Sequence, residues 1–321
     1  MTEFDFDTLA DKCLINKTSN FQESLSAIDK LEAETSPDKF IKVLNHFFII
    51  SNDYNVINYI LKKMNKYKSK EFVSVLVDTL ILKDNFKNKI KDTEIQTQIR
   101  VNAAKLLANI KDTSAVNSLL YCLNNKQENY KLRLSCAESL GKIGDRYAVL
   151  PLSEILNDEN ENSLYLKESA AFALGMIGDK KAVDSLVGIL EAKQGIIDKF
   201  TFLKERAIEA LSKINVNNDR VFNALKASLK DDSVQVRINA VEALSNLDDE
   251  RVAGLLYSSL SDKSEDVVKN AIIALFNING EKILYEVMND SSLPEHTKII
   301  IGDVIRELEE TAEEDDDSEN T

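Results

Sequence analysis

His46 and His296 are the only histidines in the chain, and acid–base or metal chemistry would have to begin with them. They stand far apart and adjoin no ligand set: His46 precedes Phe47 and His296 precedes Thr297. Each is read as a surface or structural histidine rather than a ligand. The three cysteines, Cys13, Cys122 and Cys136, are odd in number and show no CxxC spacing. That usage fits buried, reduced thiols in a cytoplasmic protein better than a disulfide framework or a zinc site. Gly141-Lys-Ile-Gly144 and Gly175-Met-Ile-Gly178 look like phosphate loops, but no strand precedes them and the remaining nucleotide-binding residues are missing. They are read as turn glycines at helix C-caps. No catalytic residue, metal ligand or cofactor site is expected.

The elements that would carry any chemistry are helices. Only 9 Gly and 3 Pro punctuate 321 residues, too few for a sheet-rich fold. An apolar fraction of 44% with 29% charged residues is that of a soluble protein. No apolar run approaches the roughly 18 residues that span a bilayer, and the acidic start MTEFDFDTLADKC is not a secretory signal. The net charge is −14, and nine acids from Glu307 to Glu319, with no base among them, supply most of it. Residues 309–321 are therefore expected to be a disordered acidic tail. An acidic body without Trp argues against nucleic acid as the partner. The run Lys62, Lys63, Lys66, Lys68 and Lys70 reads as a solvated helix end.

A leucine recurs at positions 107, 140, 174, 211, 244 and 275, in steps of 33, 34, 37, 33 and 31 residues. Four residues before it stands Ala103, Cys136, Ala170, Ala207, Ala240 or Ala271, and three before it Ala104, Ala137, Ala171, Ile208, Val241 or Ile272. Three residues after it come Ile110, Ile143, Ile177, Ile214, Leu247 and Ile278. These spacings place all four on one helical face. A second helix follows each time, with Leu119, Leu152, Leu186, Leu225 and Leu256 on its buried side. Asp112, Asp145, Asp179, Asn218 and Asp249 stand before it as N-caps. One such pair cannot bury its apolar face alone, so the pairs must stack into one continuous core without an internal domain boundary.

The segments LRLSCAESLGKIGDRYAVLPLSEIL and LKESAAFALGMIGDKKAVDSLVGIL resemble the HEAT-like repeat also found in phycobilin lyases. Arg100, Arg133, Lys167, Lys204 and Arg237 occupy the basic position that opens the second helix of such repeats. The resemblance covers residues 92–278 and implies an all-α, right-handed α-α superhelix, a HEAT-like solenoid of about seven to eight helix pairs. It fixes the repeat class and leaves the function open. Deoxyhypusine hydroxylase, an enzyme of this fold, holds iron on His-Glu pairs, and this sequence has none.

Residues 1–91 read as an N-terminal helical segment of degenerate repeats, with helices at 38–50, 53–67 and 69–82 and a short one at 20–34. Residues 92–290 form the repeats, and residues 291–308 a capping helix. In arrays of this family the helix bearing the aligned leucine lines the concave side, so its positions −5, −2 and +2 should face a partner. They include Glu138, Phe172, Met176, Arg206, Glu209, Asn239 and Asn246. Phe172 and Met176 form an apolar i, i+4 pair where other repeats carry charge, which suits binding anchors. Packing beneath the connection Lys193–Lys204, with its Ile196, Ile197, Phe200 and Phe202, fits the same two residues equally well. The pairs Asn102/Asn109, Asn239/Asn246 and Asn270/Asn277 lie a heptad apart and could hydrogen-bond an extended peptide, as asparagines do in armadillo arrays; an asparagine-rich chain also produces such pairs by coincidence. The expected role is a cytoplasmic, non-catalytic scaffold holding a protein or peptide. The resemblance also admits a phycobilin lyase-like protein that holds a tetrapyrrole and passes it to an acceptor cysteine.

Overall fold

A computed structural model describes residues 5–18, 20–83, 90–192 and 200–319, with side chains as far as residue 307. All regular structure among them is helical. The helices gather into two compact units, Met1–Ile155 and Leu156–Thr321.

The first unit contains α1 (Phe6–Lys12), α2 (Phe21–Glu34), α3 (Pro37–Ile50), α4 (Tyr54–Tyr67), α5 (Val73–Leu80), α6 (Thr93–Ile110), α7 (Val116–Asn124), α8 (Tyr130–Ile143) and most of α9 (Val149–Asn157). The second contains α10 (Leu164–Ile177), α11 (Val183–Glu191), α12 (Thr201–Ile214), α13 (Asp219–Ser228), α14 (Val234–Ser245), α15 (Val252–Ser259), α16 (Glu265–Asn279), α17 (Lys282–Met288) and α18 (Glu295–Glu319). From α2 onward the described helices succeed one another as eight pairs, and α18 follows them. The first helices of successive pairs pack side by side, α4 on α6 on α8 in one unit and α10 on α12 on α14 on α16 in the other. Their partners form a second layer behind them, and α18 packs against α16 as the next member of the first layer.

The repeat pattern maps onto this directly. The six aligned leucines are buried, and the residues four and three before them are buried without exception. The position three residues after them is different: only Leu247 is buried, and Ile278 is 43% exposed. It falls at the helix end, where the chain leaves the layer. There Gly144 and Gly178 adopt φ of 78° and 71° as left-handed C-caps. Gly141 and Gly175 are not turn glycines. Both are buried inside helices, and at Gly175 the backbone of α12 comes so close that an added Cβ would lie 2.8 Å from the Ala210 Cα. The N-cap aspartates also act one step earlier than expected. Asp112, Asp145 and Asp179 cap a short 3-10 turn that leads into α7, α9 and α11.

The basic residue of each repeat is buried, and three of these residues hold the end of the preceding pair. Arg100 Nε donates to Leu80 O at 2.7 Å, Arg133 Nε to Leu123 O at 2.9 Å, and Lys167 Nζ to Leu156 O at 3.2 Å. These carbonyls close helices and lack an intrahelical donor. Carboxylates from the following loop complete the set: Glu128 grips both guanidinium nitrogens of Arg100, Asp231 meets Lys204 at 2.8 Å, and Asp262 grips Arg237.

The ends differ from expectation in detail. A short helix, α1, precedes the others, capped by Asp5. At the far end α18 runs on to Glu319, through the stretch 309–319 set apart from sequence as a disordered tail. After Gly302 that stretch contains neither glycine nor proline and is rich in glutamate, a good helix former. The side chains beyond Glu307, and Ile196 and Ile197, lie outside the described residues.

Candidate partner-binding faces

The layer of first helices turns one side to the second layer and leaves the other open, and every residue proposed as a contact belongs to it. In the second unit the open face centres on Phe172 of α10. The Arg206 guanidinium lies 5.3 Å from the centre of its ring, and Lys213 Nζ lies 5.5 Å from it. Both cations come from α12, so the half-buried Phe172 packs under its neighbour helix's charged side chains instead of standing free. Arg206 is itself clamped, at 2.6 Å to Glu209 and 3.3 Å to Glu168. Its Nε is buried with no hydrogen-bond partner among the described residues. Met176, one turn on from Phe172, is 42% exposed. Of the aromatic residues that follow, Phe202 stacks on Tyr165 at 5.9 Å and Phe200 sits edge-on to Phe202.

Glu205, beside this cluster, has its pKa raised, first by burial and then by the neighbouring carboxylate of Glu209. Phe172, Met176, Arg206 and Glu209 are thus brought together as one cation-capped, partly apolar patch. Asn239 and Asn246 lie two helices away on α14. Asn246 is exposed and donates to Ser212 Oγ at 3.2 Å. Asn239 is buried and accepts from Gln235 Nε2 at 2.8 Å, so it is not an exposed contact. The −5 position turns toward the adjacent helix of the layer, and Ser135 in the first unit shows the same, buried and donating to Val101 O.

Glu138 belongs to the first unit, half-buried on α8. The open face there is built differently. Asn102 Nδ2 donates to Asn58 Oδ1 at 2.9 Å, and Asn109 Nδ2 to Asn65 Oδ1 at 2.8 Å, two matched amide pairs between α6 and α4. Helical spacing sets Lys62 between the two asparagines of α4 and Lys105 between those of α6. Sequence reasoning found Asn102 and Asn109 but not their partners, because the fold separates Asn58 from Asn102 by 44 residues.

His46 Nε2 lies 3.0 Å from Asp7 Oδ1 and its ring stacks on Phe6, tying α3 to α1. No group of three or more metal-ligating side chains occurs among the described residues. All three cysteines are buried and free. A cleft of about 580 Å3 in the first unit has Thr97, Gln127, Asn129 and Lys131 in its walls. Two of its charged residues, Arg100 and Glu128, pair with each other at 2.6 Å. No described helix is long and apolar enough to cross a membrane.

Residues 90–164, 126–201 and 196–276 match the family model described as HEAT repeats. Among curated proteins, the phycocyanobilin lyase subunit alpha of Picosynechococcus sp. (strain ATCC 27264 / PCC 7002 / PR-6) is 29% identical over 153 residues, which is 43% of this chain and 54% of that protein. The chain therefore spans about half the length of this curated relative. Among solved structures, the complex of CpcE and CpcF of phycocyanin lyase from Nostoc sp. PCC7120 aligns at TM-score 0.44 and 22% identity, over 74% of this chain and 87% of that one. Kap121p bound to Nup53p aligns at TM-score 0.57 and 11% identity, over 94% of this chain and 38% of that one.

Proposed function

Because the chain belongs to the HEAT-repeat family, we propose that it is a non-catalytic scaffold that holds a protein or peptide on the open face of its first-helix layer. The observation that carries this reading is the patch on α10 and α12. Phe172 supplies a ring fixed from above by Arg206 and Lys213, and Met176 stands exposed beside it. A rigid aromatic flanked by a polarizable methionine and by cations offers apolar area together with polar direction, the mixture found at binding hot spots. Glu168 and Glu209 hold the Arg206 guanidinium in place, which fixes the cation over the ring. Kap121p, of the same fold class, is seen holding Nup53p, though a shared fold does not choose a role. The three buried free thiols suit a reducing compartment such as the cytoplasm.

The experiment is affinity capture from a lysate of the source cells followed by mass spectrometry, repeated with the double variant F172A/M176A. The captured partner should be lost, or weakened at least tenfold on titration. Unchanged affinity for that partner removes this patch from the account.

A second reading is bilin handling, favoured by the 153-residue likeness to a phycocyanobilin lyase subunit. A tetrapyrrole would lie on the open face with its propionates toward cations such as Lys213. Titration of the purified protein with phycocyanobilin tests it: a shifted and intensified visible absorption band supports it, and an unperturbed spectrum ends it.

A further inference from the structure

The two asparagine pairs of the first unit mark a stripe whose charge runs against that of the molecule. Lys62 on α4, Lys105 on α6 and Lys142 on α8 are all exposed, and none makes an ion pair among the described residues. Lys62 and Lys105 sit within the amide pairs, and Lys142 continues the stripe onto α8, which packs beside α6. Glu138, one turn before Lys142 on α8, shares this face. Other cations are held by carboxylates, such as Lys63 and Lys66 on Glu32, Arg220 on Asp184 and Glu191, and Arg251 on Asp249 and Asp219. Three exposed lysines beside Glu138 leave this face locally positive on a chain of net charge −14.

From this geometry we infer that the face of α4, α6 and α8 holds an acidic segment of a partner protein in extended conformation. The inference rests on the scaffold reading and deepens it by naming the partner's chemistry. Each asparagine spends one group on its pair and keeps further amide N–H and C=O capacity, which matches the alternating donors and acceptors of an extended backbone. The lysines match its side chains. Adjacent helices of a layer stand about 8–10 Å apart, close to the ~10 Å covered by three extended residues. Carboxylates repeated every third residue would therefore meet successive lysines as the segment crosses the helices. A phosphate backbone offers acceptors alone, so it would use the lysines and the amide N–H groups but leave the amide oxygens without donors.

The test uses the full chain and a fluorescein-labelled twelve-residue peptide with Glu at every third position and Gly or Ser between. A peptide with Gln at the same positions and a single-stranded oligonucleotide serve as comparisons, and anisotropy reads binding. The Glu peptide should bind at least tenfold tighter than the Gln peptide. Its affinity should fall at least tenfold in K62A/K105A/K142A, whose melting curve should stay unchanged, and should also fall in N58A/N102A. Added salt should weaken it, as screening does to exposed charges. Equal affinity for the two peptides, unchanged affinity in the triple variant, or tighter binding of the oligonucleotide through the same lysines overturns the inference. The scaffold reading is judged separately by F172A/M176A, so the two failures are distinguishable.

Discussion

The Cα of Ala210 on α12 lies 2.8 Å from where a Cβ at Gly175 of α10 would be. No real Cβ tolerates such a contact with backbone, so Gly175→Ala must push the two helices apart. The cost should be about 1–3 kcal/mol, the usual penalty for overpacking. Gly188 on α11 is the control, since it sits in a helix with nothing within 4 Å of its missing Cβ. Gly188→Ala should stabilise by about 0.5–1 kcal/mol through backbone entropy alone. Urea unfolding of both variants checks the pair of signs, and equal effects would contradict the packing described.

Arg100 is buried at 5% side-chain exposure, with Glu128 at 16% across a 2.6 Å ion pair. Removing the guanidinium alone leaves the Glu128 carboxylate without its cation and the Leu80 carbonyl with only the Cys122 thiol as donor. Arg100→Met should therefore cost about 3–5 kcal/mol. The double variant R100M/E128M no longer buries an uncompensated charge and should recover much of that loss. If the double variant is as unstable as the sum of the two single ones, the coupling is absent.

The parts of this molecule visible in its sequence are those set by a helix's own geometry. The six leucines and the small residues before them follow a spacing that depends on one helix only, and the core contains them all. What depends on a neighbour was not visible. Asn239 and Asn246 share a heptad spacing, yet one is buried and the other exposed, because adjacent helices of the layer cover the two ends unequally. Gly175 reads as punctuation until α12 is placed against it. The pairing of Arg100 with Glu128, and of Asn58 with Asn102, joins residues 28 and 44 positions apart that no local pattern links.

Glu32 carries a pH dependence. Burial works to raise its pKa, but hydrogen bonds from Lys63, Lys66 and Tyr67 outweigh this and bring it down to about 2. A carboxylate whose folded pKa lies below its unfolded one contributes stability that is complete above the unfolded value. That contribution is lost as the pH falls from about 5 toward 2. The cluster fastens α2 to α4, so wild-type stability should drop over this window. Glu32→Gln should be less stable at pH 7 and show a flatter acid limb. Parallel acid limbs in the two proteins would assign the pH dependence to other carboxylates.

The thiols make the last test, and it bears on any chemistry at cysteine. Cys122 and Cys136 are 0% exposed and Cys13 is 2% exposed. A hydrogen bond from Cys136 lowers the pKa of Cys122 against the effect of burial, and nearby Arg100 adds to the lowering. Burial raises that of Cys136 well above the usual thiol range and brings Cys13 to about 11. A thiol-directed reagent must reach a thiol to react with it, and burial keeps all three out of its reach. Native protein should therefore leave a chromogenic disulfide reagent unreduced over the time in which urea-unfolded protein releases three equivalents. A single fast-reacting thiol in the native state, lost in Cys122→Ser, would mean that the first unit opens around α7 and α8. That opening would make Cys122 available as a nucleophile and bring covalent chemistry back into consideration.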